Sequence, residues 1–402
     1  MTLARFHLDL EPTDTFRSVL FFPGDRQPIA AGPRAIGLYL EEHAEGQFAG
    51  RLIQSVKSLL ASRIFTSTQI SGRRYNAQDL VTLIVRALRT EAAQQFGELG
   101  ERVVVGRPVR FVGAENEQDE EMAIARLGAA LAAAGFPKVT FEYEPVGAAY
   151  FYERRLDHDE LILIADFGGG TSDFSIMPVG PSMRAGKRKR KILGTEGIPL
   201  AGDAFDARIV RHVVSPLLGE GSEYRSLNKL LPVPGSVYRK LERWHHLSFL
   251  KSPDTMRMLQ SVQAQALEPQ KIEKLIALVD SDLGLQLHRA VQRTKFELSA
   301  SRESMFLFHH SAVSIEKRVT RAEFEEWIAD YLAEINGAVD RLLKKTGVDA
   351  SAIDRVFLTG GSSLVPSVRM LFERRFGGGR LSAGDEFTSV AKGLAFRAGD
   401  LH

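Results

Sequence analysis

Hydrophobic and polar positions in the first third of the chain follow two different repeats, which predict alternating strands and helices. Short apolar runs, as in FRSVLFF, ERVVVGRPVRF and KVTFEYEP, predict strands. Between them, apolar residues recur at helical spacing in AQDLVTLIVRALRTEAAQQFG and DEEMAIARLGAALAAAGF, and PVGAAYFYERRL predicts a further helix. This β-α-β-α order indicates a mixed α/β layer fold.

From Leu161 the pattern starts again and predicts a second α/β half. LILIADF and TSDFSIMPV predict a hairpin, and MRAGKRKRKILGTEG predicts a third strand with a basic lead-in. IDRVFLTGGSS predicts a buried strand before the helix VPSVRMLFERRF. The region from 201 to 311 is interpreted as mostly helical. RAEFEEWIADYLAEINGAVDRLLKKTG is predicted to be one long amphipathic helix, and DEFTSVAKGLAFRAG the last helix.

Composition narrows the possible chemistry without identifying it. The chain has 402 residues, 52 of them basic and 50 acidic, and it has no cysteine. Disulfides, thiolate catalysis and cysteine-bound zinc are therefore excluded. The balanced charge gives no reason to expect a nucleic-acid or membrane partner, and GKRKRKILG is interpreted as a solvated loop. With a charged start and no long apolar run, we expect a cytoplasmic protein.

The stretch IADFGGGTSDFSI places two acids around a glycine turn. Asp166 ends an apolar strand, where a carboxylate needs a partner or a metal, and Asp173 follows the turn. Gly168 to Gly170 allow the backbone amides to approach a ligand closely, and Thr171 adds a hydroxyl. Amides suit phosphate oxygens and carboxylates suit hydrated Mg²⁺, so the set fits a nucleotide polyphosphate with its metal. The alternative is a hairpin that uses glycine for turn geometry alone.

A second glycine turn lies in VFLTGGSSLVP, between a strand and a helix. Gly360 and Gly361 would allow a ligand against the backbone, where the helix start offers unpaired amides. By itself this pattern also fits a simple tight turn.

These stretches, in this order, resemble the nucleotide-binding domain of the heat shock protein 70 family, within the actin-like ATPase superfamily. IADFGGGTSDFSI is similar to the family's second phosphate motif, YEPVGAAYFY to its first connecting helix, and LTGGSSLVPSVRMLF to its adenosine motif. GRPVRF, GDAFDARIV, QRTKFELSAS and VTRAEFEEW also lie where the family has similar segments. The short length and the C-terminal pattern most resemble the YegD-like bacterial subgroup.

The resemblance implies an actin-like ATPase fold. Two lobes would each carry a ribonuclease-H-like mixed sheet flanked by helices, with ATP or ADP and Mg²⁺ in the cleft between them. Lobe I would span 1–160, and lobe II 161–384 with a helical insertion around 201–311. Residues 385–402 would form a C-terminal helix that returns toward lobe I.

The resemblance also implies roles for single residues. The catalytic set would be Lys57, Glu144, Asp166, Thr171 and Asp173, with Asp166 and Asp173 holding Mg²⁺ through water. The nucleotide-binding set would be Gly168, Gly169, Gly170, Thr171, Gly202, Gln292, Lys295, Ser299, Gly360, Gly361 and Ser362. Taken alone, Lys57 would be interpreted as a solvated helix lysine. Pro108 and Glu144 match the family's proline switch and its coupling acid.

The sequence departs from the family pattern in three places. No phosphate loop of the form D-x-G-T-[TS]-x-S occurs near the start, either because the start was assigned late or because the loop was lost. We therefore expect weak ATP binding, poor hydrolysis and a first sheet without its central hairpin. Gln292, Phe296 and Leu364 differ from the usual base-pocket residues, which leaves the base preference open. No peptide-binding segment follows the ATPase region, so regulated trapping of client peptides is not expected.

Three functions are consistent with these features. The first is an ATP-binding, slowly hydrolysing chaperone-like protein with possible protein clients or cochaperones. The second is a nucleotide-binding scaffold without turnover. The third, less supported, is an actin-like kinase acting on a sugar or acetate, which would need a substrate base in the first lobe.

Overall fold

The structure is a computed structural model that describes residues 2–7, 12–24, 28–44, 50–184, 191–243, 250–310, 313–383 and 388–400. The chain divides into two compact units. The first unit comprises Met1–Gly202 and Tyr331–His402, and the second comprises Asp203–Asp330. The predicted mixed α/β class is confirmed. The lobe boundaries remain a prediction.

Up to residue 153, the described residues form short strands and four α-helices. The strands are β1 (Phe6–His7), β2 (Pro12–Thr13), β3 (Val19–Phe22), β4 (Ala30–Ala31), β5 (Arg51–Gln54), β6 (Thr68–Ile70), β7 (Arg73–Tyr75), β8 (Arg102–Arg107) and β9 (Lys138–Tyr143). The helices are α1 (Gly32–Ala44), α2 (Ala77–Phe96), α3 (Glu117–Ala133) and α4 (Glu144–Glu153). β3 lies between β4 and β5, and β8 pairs in parallel with β9 in a separate sheet.

Beyond residue 153, the described residues add five more strands to the first unit and form the smaller second unit, which is mostly helical. The next elements are β10 (Glu160–Phe167), β11 (Ser172–Val179), α5 (Pro181–Arg184), β12 (Gly194–Ile198) and α6 (Gly202–Ile209). The second unit continues with β13 (Glu223–Ser226), β14 (Lys229–Pro232), α7 (Gly235–Leu241), α8 (Pro253–Gln263), α9 (Pro269–Asp280), α10 (Gly284–Ala300), β15 (Glu303–His310), β16 (Val313–Thr320) and α11 (Arg321–Trp327). The chain ends with α12 (Ala329–Thr346), β17 (Arg355–Thr359), α13 (Pro366–Phe376), β18 (Leu381–Ala383) and α14 (Ser389–Asp400).

Local sequence explains where the predicted helices begin and end. At the start of α2, the Asn76 side chain accepts from the Asp79 amide and the Asp79 side chain accepts from the Asn76 amide, which is a capping box. The helix stops before Gly97, which has a positive φ of 79°. Its apolar face, including Leu80, joins a core with Leu127 of α3. Burial of this face stabilises the helices more than propensity does.

One mixed sheet of the first unit holds the acid-bearing hairpin. Its strand order is β12-β11-β10-β17-β18, with β10 antiparallel to β11 and parallel to β17. Ile162, Leu163 and Ile164 on successive positions of β10 are each fully buried. Both faces of the strand are therefore covered, which explains why LILIADF is continuously apolar rather than alternating.

The prediction of one long helix from Arg321 onward is wrong. The chain forms α11 and α12, separated by Ile328 at φ −101° and ψ 6°. Apolar residues keep helical spacing on both sides of the buried Ile328, so periodicity alone does not reveal the break. The mostly helical interpretation of 201–311 also missed the hairpin β13–β14. Its two-residue turn consists of Leu227 and Asn228, with Leu227 in a left-handed conformation.

Two further expectations concern membrane-spanning helices and the basic segment. None of the helices in the described parts of the chain is long and apolar enough to cross a membrane. Residues 186–190 of the basic segment GKRKRKILG lie outside the described residues.

Candidate functional site

The hairpin β10–β11 places its two acids directly opposite each other. Asp166 and Asp173 are partners in the antiparallel register, and they are 8% and 1% exposed. The chain between the strands is closed by a hydrogen bond from the Gly168 amide to the Thr171 carbonyl, at 2.9 Å. Gly168 and Gly169 are themselves exposed, so their backbone lies within reach of a ligand.

Two hydrogen bonds orient the Asp173 carboxylate, and a glycine lies opposite it. Its Oδ1 accepts a 2.7 Å hydrogen bond from the amide of Val109, just beyond β8 and the buried Pro108. The Thr171 hydroxyl also hydrogen-bonds to this carboxylate. Gly197 of β12 faces it, and a Cβ there would lie 3.0 Å from Asp173 Oδ1. The carboxylate therefore has a fixed orientation, which a larger residue at 197 would disturb.

Burial and like charge oppose ionisation of both acids. Desolvation, followed by repulsion from Glu144, raises the pKa of Asp173 to about 7. Hydrogen bonds from Thr171 and Val109 and attraction to Lys57 act in the opposite direction. The pKa of Asp166 lies well above its usual range because of desolvation, with Glu144 and Asp173 adding to the effect. Two buried acids that resist ionisation are a frequent property of functional sites.

Lys57 is a positively charged neighbour of Glu144, Asp166 and Asp173. It forms an ion pair with Glu144, the first residue of α4. Desolvation lowers the pKa of Lys57, but attraction to Glu144, Asp173 and Asp166 outweighs it and the pKa is raised overall. Its ammonium therefore stays protonated at neutral pH.

The backbone before Lys57 is strained. Lys57 lies in a 3₁₀ turn, Val56–Leu59, entered through Ser55 at φ 51° and ψ 39°. A left-handed conformation at a residue other than glycine costs on the order of 1 kcal/mol. This strained residue, Ser55, lies directly before the turn that contains Lys57.

The second glycine turn packs directly against the first. Thr359, at the end of β17, pairs with Asp166 in the parallel register. Gly360 follows at φ 82°, and a Cβ on it would lie 2.1 Å from the carbonyl oxygen of Phe167. Only glycine fits there. The Gly202 amide approaches the Gly168 carbonyl at 3.4 Å, so the segments around Gly168, Gly202 and Gly360 meet.

The remaining predicted residues are divided between the units. Gly361 and Ser362 belong to a 3₁₀ turn after Gly360 in the first unit, where Ser362 is 4% exposed. Gln292, Lys295 and Ser299 lie on α10 of the second unit. There the Ser299 hydroxyl donates to the Lys295 carbonyl at 3.0 Å.

Sequence reasoning missed several residues that shape these sites. Gly197 and the Val109 amide carry no motif, because their contacts with Asp173 come from chain segments far apart in sequence. Asp206, which pairs with Lys295, lies in the helical stretch GDAFDARIV and carries no motif of its own.

The acid pair fits a hydrated Mg²⁺. Two carboxylates held face to face with raised pKa values lack enough positive charge nearby, and a divalent cation would supply it. Among the described residues, no group of three or more His, Asp or Glu side chains is arranged to hold a metal by itself. Water and ligand oxygens would therefore complete the coordination.

Comparison with known proteins identifies the family. The model of the Hsp70 protein family matches residues 26–223 and 263–402. The chain belongs to the Hsp70 family. This Hsp70 family member is similar to two curated relatives named Chaperone protein DnaK, from two strains of Thermus thermophilus. Each is 25% identical over 342 residues, which cover 83% of this chain and 45% of the relative. The chain thus spans less than half the length of the curated relatives it matches.

Proposed function

We propose that this protein binds ATP together with Mg²⁺ and hydrolyses it slowly, as a chaperone-type member of its family. The observation that carries the proposal is the facing pair Asp166 and Asp173 below an exposed glycine turn. A turn of this kind with no ligand would not need two buried acids whose pKa values are raised. The adjoining Gly360 turn supports the same assignment.

The phosphates would be bound mainly by backbone. The amides of Gly168, Gly169 and Gly170 and the hydroxyl of Thr171 would donate to the β- and γ-phosphate oxygens. Gly202, whose amide lies near Gly168, would extend this set. Mg²⁺, when bound, would neutralise charge on the phosphate oxygens. Asp166 and Asp173 would hold it through water, since each lies at the base of the turn.

Hydrolysis would depend on Lys57. Its protonated ammonium is attracted to the three acids Glu144, Asp173 and Asp166. There it would stabilise charge on the transferring phosphoryl group and orient the attacking water, with Asp173 as a second orienting group. Glu144 fixes the lysine through their ion pair. Because Glu144 starts α4, it would also connect the state of the site to that helix.

The nucleoside contacts are assigned by the family resemblance. The nucleoside would be contacted by six residues: Gly360, Gly361, Ser362, Gln292, Lys295 and Ser299. The side chain of Phe296 on α10 is 66% exposed and could stack on a base. The nucleotide is ATP or ADP in this proposal.

A chaperone role, with protein clients or cochaperones, is proposed from the relatives alone. Both relatives are named chaperones, and the match covers 45% of each of them. Cytoplasmic localisation likewise stays a prediction.

Nucleotide titration and phosphate release together test the proposed function. Labelled ATP is titrated into the purified protein with and without Mg²⁺, and phosphate release is measured for wild type, Lys57→Ala and Lys138→Ala. Lys138 is the matched control, because it also pairs with an acid, Glu101, but lies exposed on the surface. We expect Lys57→Ala to bind ATP and to lose phosphate release by roughly 10²-fold, while Lys138→Ala resembles wild type.

Each alternative function has its own outcome in this experiment. Binding of Mg²⁺–ATP without release in wild type would favour the scaffold. Release stimulated by a sugar or acetate would favour the kinase. Absence of ATP binding by wild type would overturn the proposal.

A further inference from the structure

A buried ion pair in the second unit joins α10 to α6. Lys295 Nζ lies 2.7 Å from Asp206 Oδ1, and the two side chains are 16% and 4% accessible. Both Asp206 oxygens are shielded from solvent, and neither accepts a well-aligned hydrogen bond from a described group. Lys295 is therefore the charge that offsets this carboxylate in the part of the chain that the structure describes.

Stability alone is a weak explanation for such a pair. Removing two charges from water is costly, and replacing a buried pair with apolar residues of similar size often leaves a protein equally stable. The pair does have a clear effect on geometry. A lysine side chain has four flexible carbons, so without a partner its ammonium would move among many rotamers. Asp206 restricts it to one location.

Along α10, residue 295 lies at the border between two faces of the helix. Val291, Thr294 and Leu298 belong to the buried face of the helix. Gln292, Phe296 and Ser299 share the neighbouring face, since they are three and four residues apart. Phe296 is exposed there, while Gln292 and Ser299 are partly exposed. Lys295, three residues from Gln292 and four from Ser299, adjoins this face.

We propose that Asp206 is a positioning residue for nucleotide binding, which holds the Lys295 ammonium beside the face formed by Gln292, Phe296 and Ser299. The inference rests on the proposed function, in which Lys295 contacts the nucleotide. It adds an acid that would act only through Lys295.

A double-mutant cycle on Mg²⁺–ATP affinity tests this role. The variants are Asp206→Asn, Lys295→Met and Asp206→Asn combined with Lys295→Met. Thermal unfolding is measured in parallel. Glu303→Gln is the control, since Glu303 pairs with Arg318 in the same unit but both are exposed. Asp166→Asn reports independently on the phosphate site.

We expect Asp206→Asn and Lys295→Met each to weaken affinity roughly tenfold, and the double variant to be no weaker than Lys295→Met. Asp206→Asn should lower the unfolding temperature, because it removes the carboxylate that offsets a largely buried ammonium, and the double variant should recover it. Recovered stability without recovered affinity separates positioning from a structural role.

Several results would overturn the inference while the proposed function stands. The first two are wild-type affinity for Mg²⁺–ATP in either Asp206→Asn or Lys295→Met. The third is full additivity of the two single effects on affinity. The fourth is a double variant in which affinity returns together with stability. In each case Asp166→Asn would still weaken binding. Wild-type protein that binds no Mg²⁺–ATP would overturn the proposed function, and this inference with it.

Discussion

Two hairpins in this protein have strands of equal length and opposite character. β10–β11 and β15–β16 are both antiparallel pairs of eight-residue strands. The first lies inside a five-stranded sheet and is buried at nearly every position. The second forms a two-stranded sheet of its own, and its strands alternate between buried and exposed residues. Neighbouring strands and helices, not the hairpin itself, set this difference.

The acids of the two hairpins differ in the same way. Glu303 and Glu316 of β15–β16 are exposed and pair with Arg318 and His309 at the surface. Such pairs contribute little to stability. Asp166 and Asp173 are buried, face each other and have raised pKa values. A carboxylate is therefore informative about function when its surroundings make its charge costly.

The largest expected effect concerns the turn that supports the buried hairpin. Gly360→Ala would place a Cβ against the backbone of Phe167, at a positive φ. We expect a loss of about 4 kcal/mol in unfolding free energy, measured by denaturant titration. Gly377→Ala is the matched control, because Gly377 also has a positive φ but no atom within 4 Å of its Cβ position. It should cost only about 1 kcal/mol. Equal losses would show that strain, not the contact with Phe167, governs Gly360.

The second prediction tests whether the buried acids bind the metal ion. Asp166→Asn should weaken Mg²⁺–ATP binding roughly 10²-fold, because the cation loses one of its two carboxylates. Glu316→Gln, in the exposed hairpin, should bind as wild type does. Affinity is measured by titration at fixed ionic strength. An Asp166→Asn protein with wild-type affinity would contradict the metal assignment.

The third effect is a pH dependence. Asp173 has a folded pKa of about 7, above its unfolded value, so its protonated form stabilises the fold at low pH. This stability is lost as pH rises toward 7, and we expect about 2 kcal/mol of loss between roughly pH 5 and 7 from this group. Asp173→Asn should remove that part of the slope from denaturant titrations, while Glu303→Gln should leave it. Equal slopes in wild type and Asp173→Asn would rule this out.

The smallest effect belongs to the exposed hairpin. A double-mutant cycle on Glu303 and Arg318, with glutamine at both positions, should give a coupling below about 1 kcal/mol in unfolding free energy. Added salt should reduce it further. A coupling of several kcal/mol would mean that surface acids in this protein matter as much as the buried ones.

Sequence patterns predicted the local parts of this structure well. The hairpin around the glycine turn, α2 with its end at Gly97, and the strand before Gly360 follow from period, caps and glycine positions. The break at Ile328 was not predictable from period alone, because apolar residues recur at helical spacing on both sides of it.

The candidate site was predictable in its acids and glycines, and less so in its supports. Asp166 and Asp173 stand in a recognisable motif, and the structure places them face to face. The Val109 amide and Gly197 touch Asp173 from segments distant along the chain, and such contacts have no local sequence signal. The roles assigned to these residues stay predictions.

The hydrogen bond from Val109 to Asp173 offers a reporter on the site. That amide donates to a carboxylate whose charge would change with protonation and with bound cation. Its proton resonance in an NMR spectrum, and its rate of exchange with deuterium, should therefore follow both events. The backbone amide of Val109, just after β8, would thus report whether the Asp173 carboxyl group is charged.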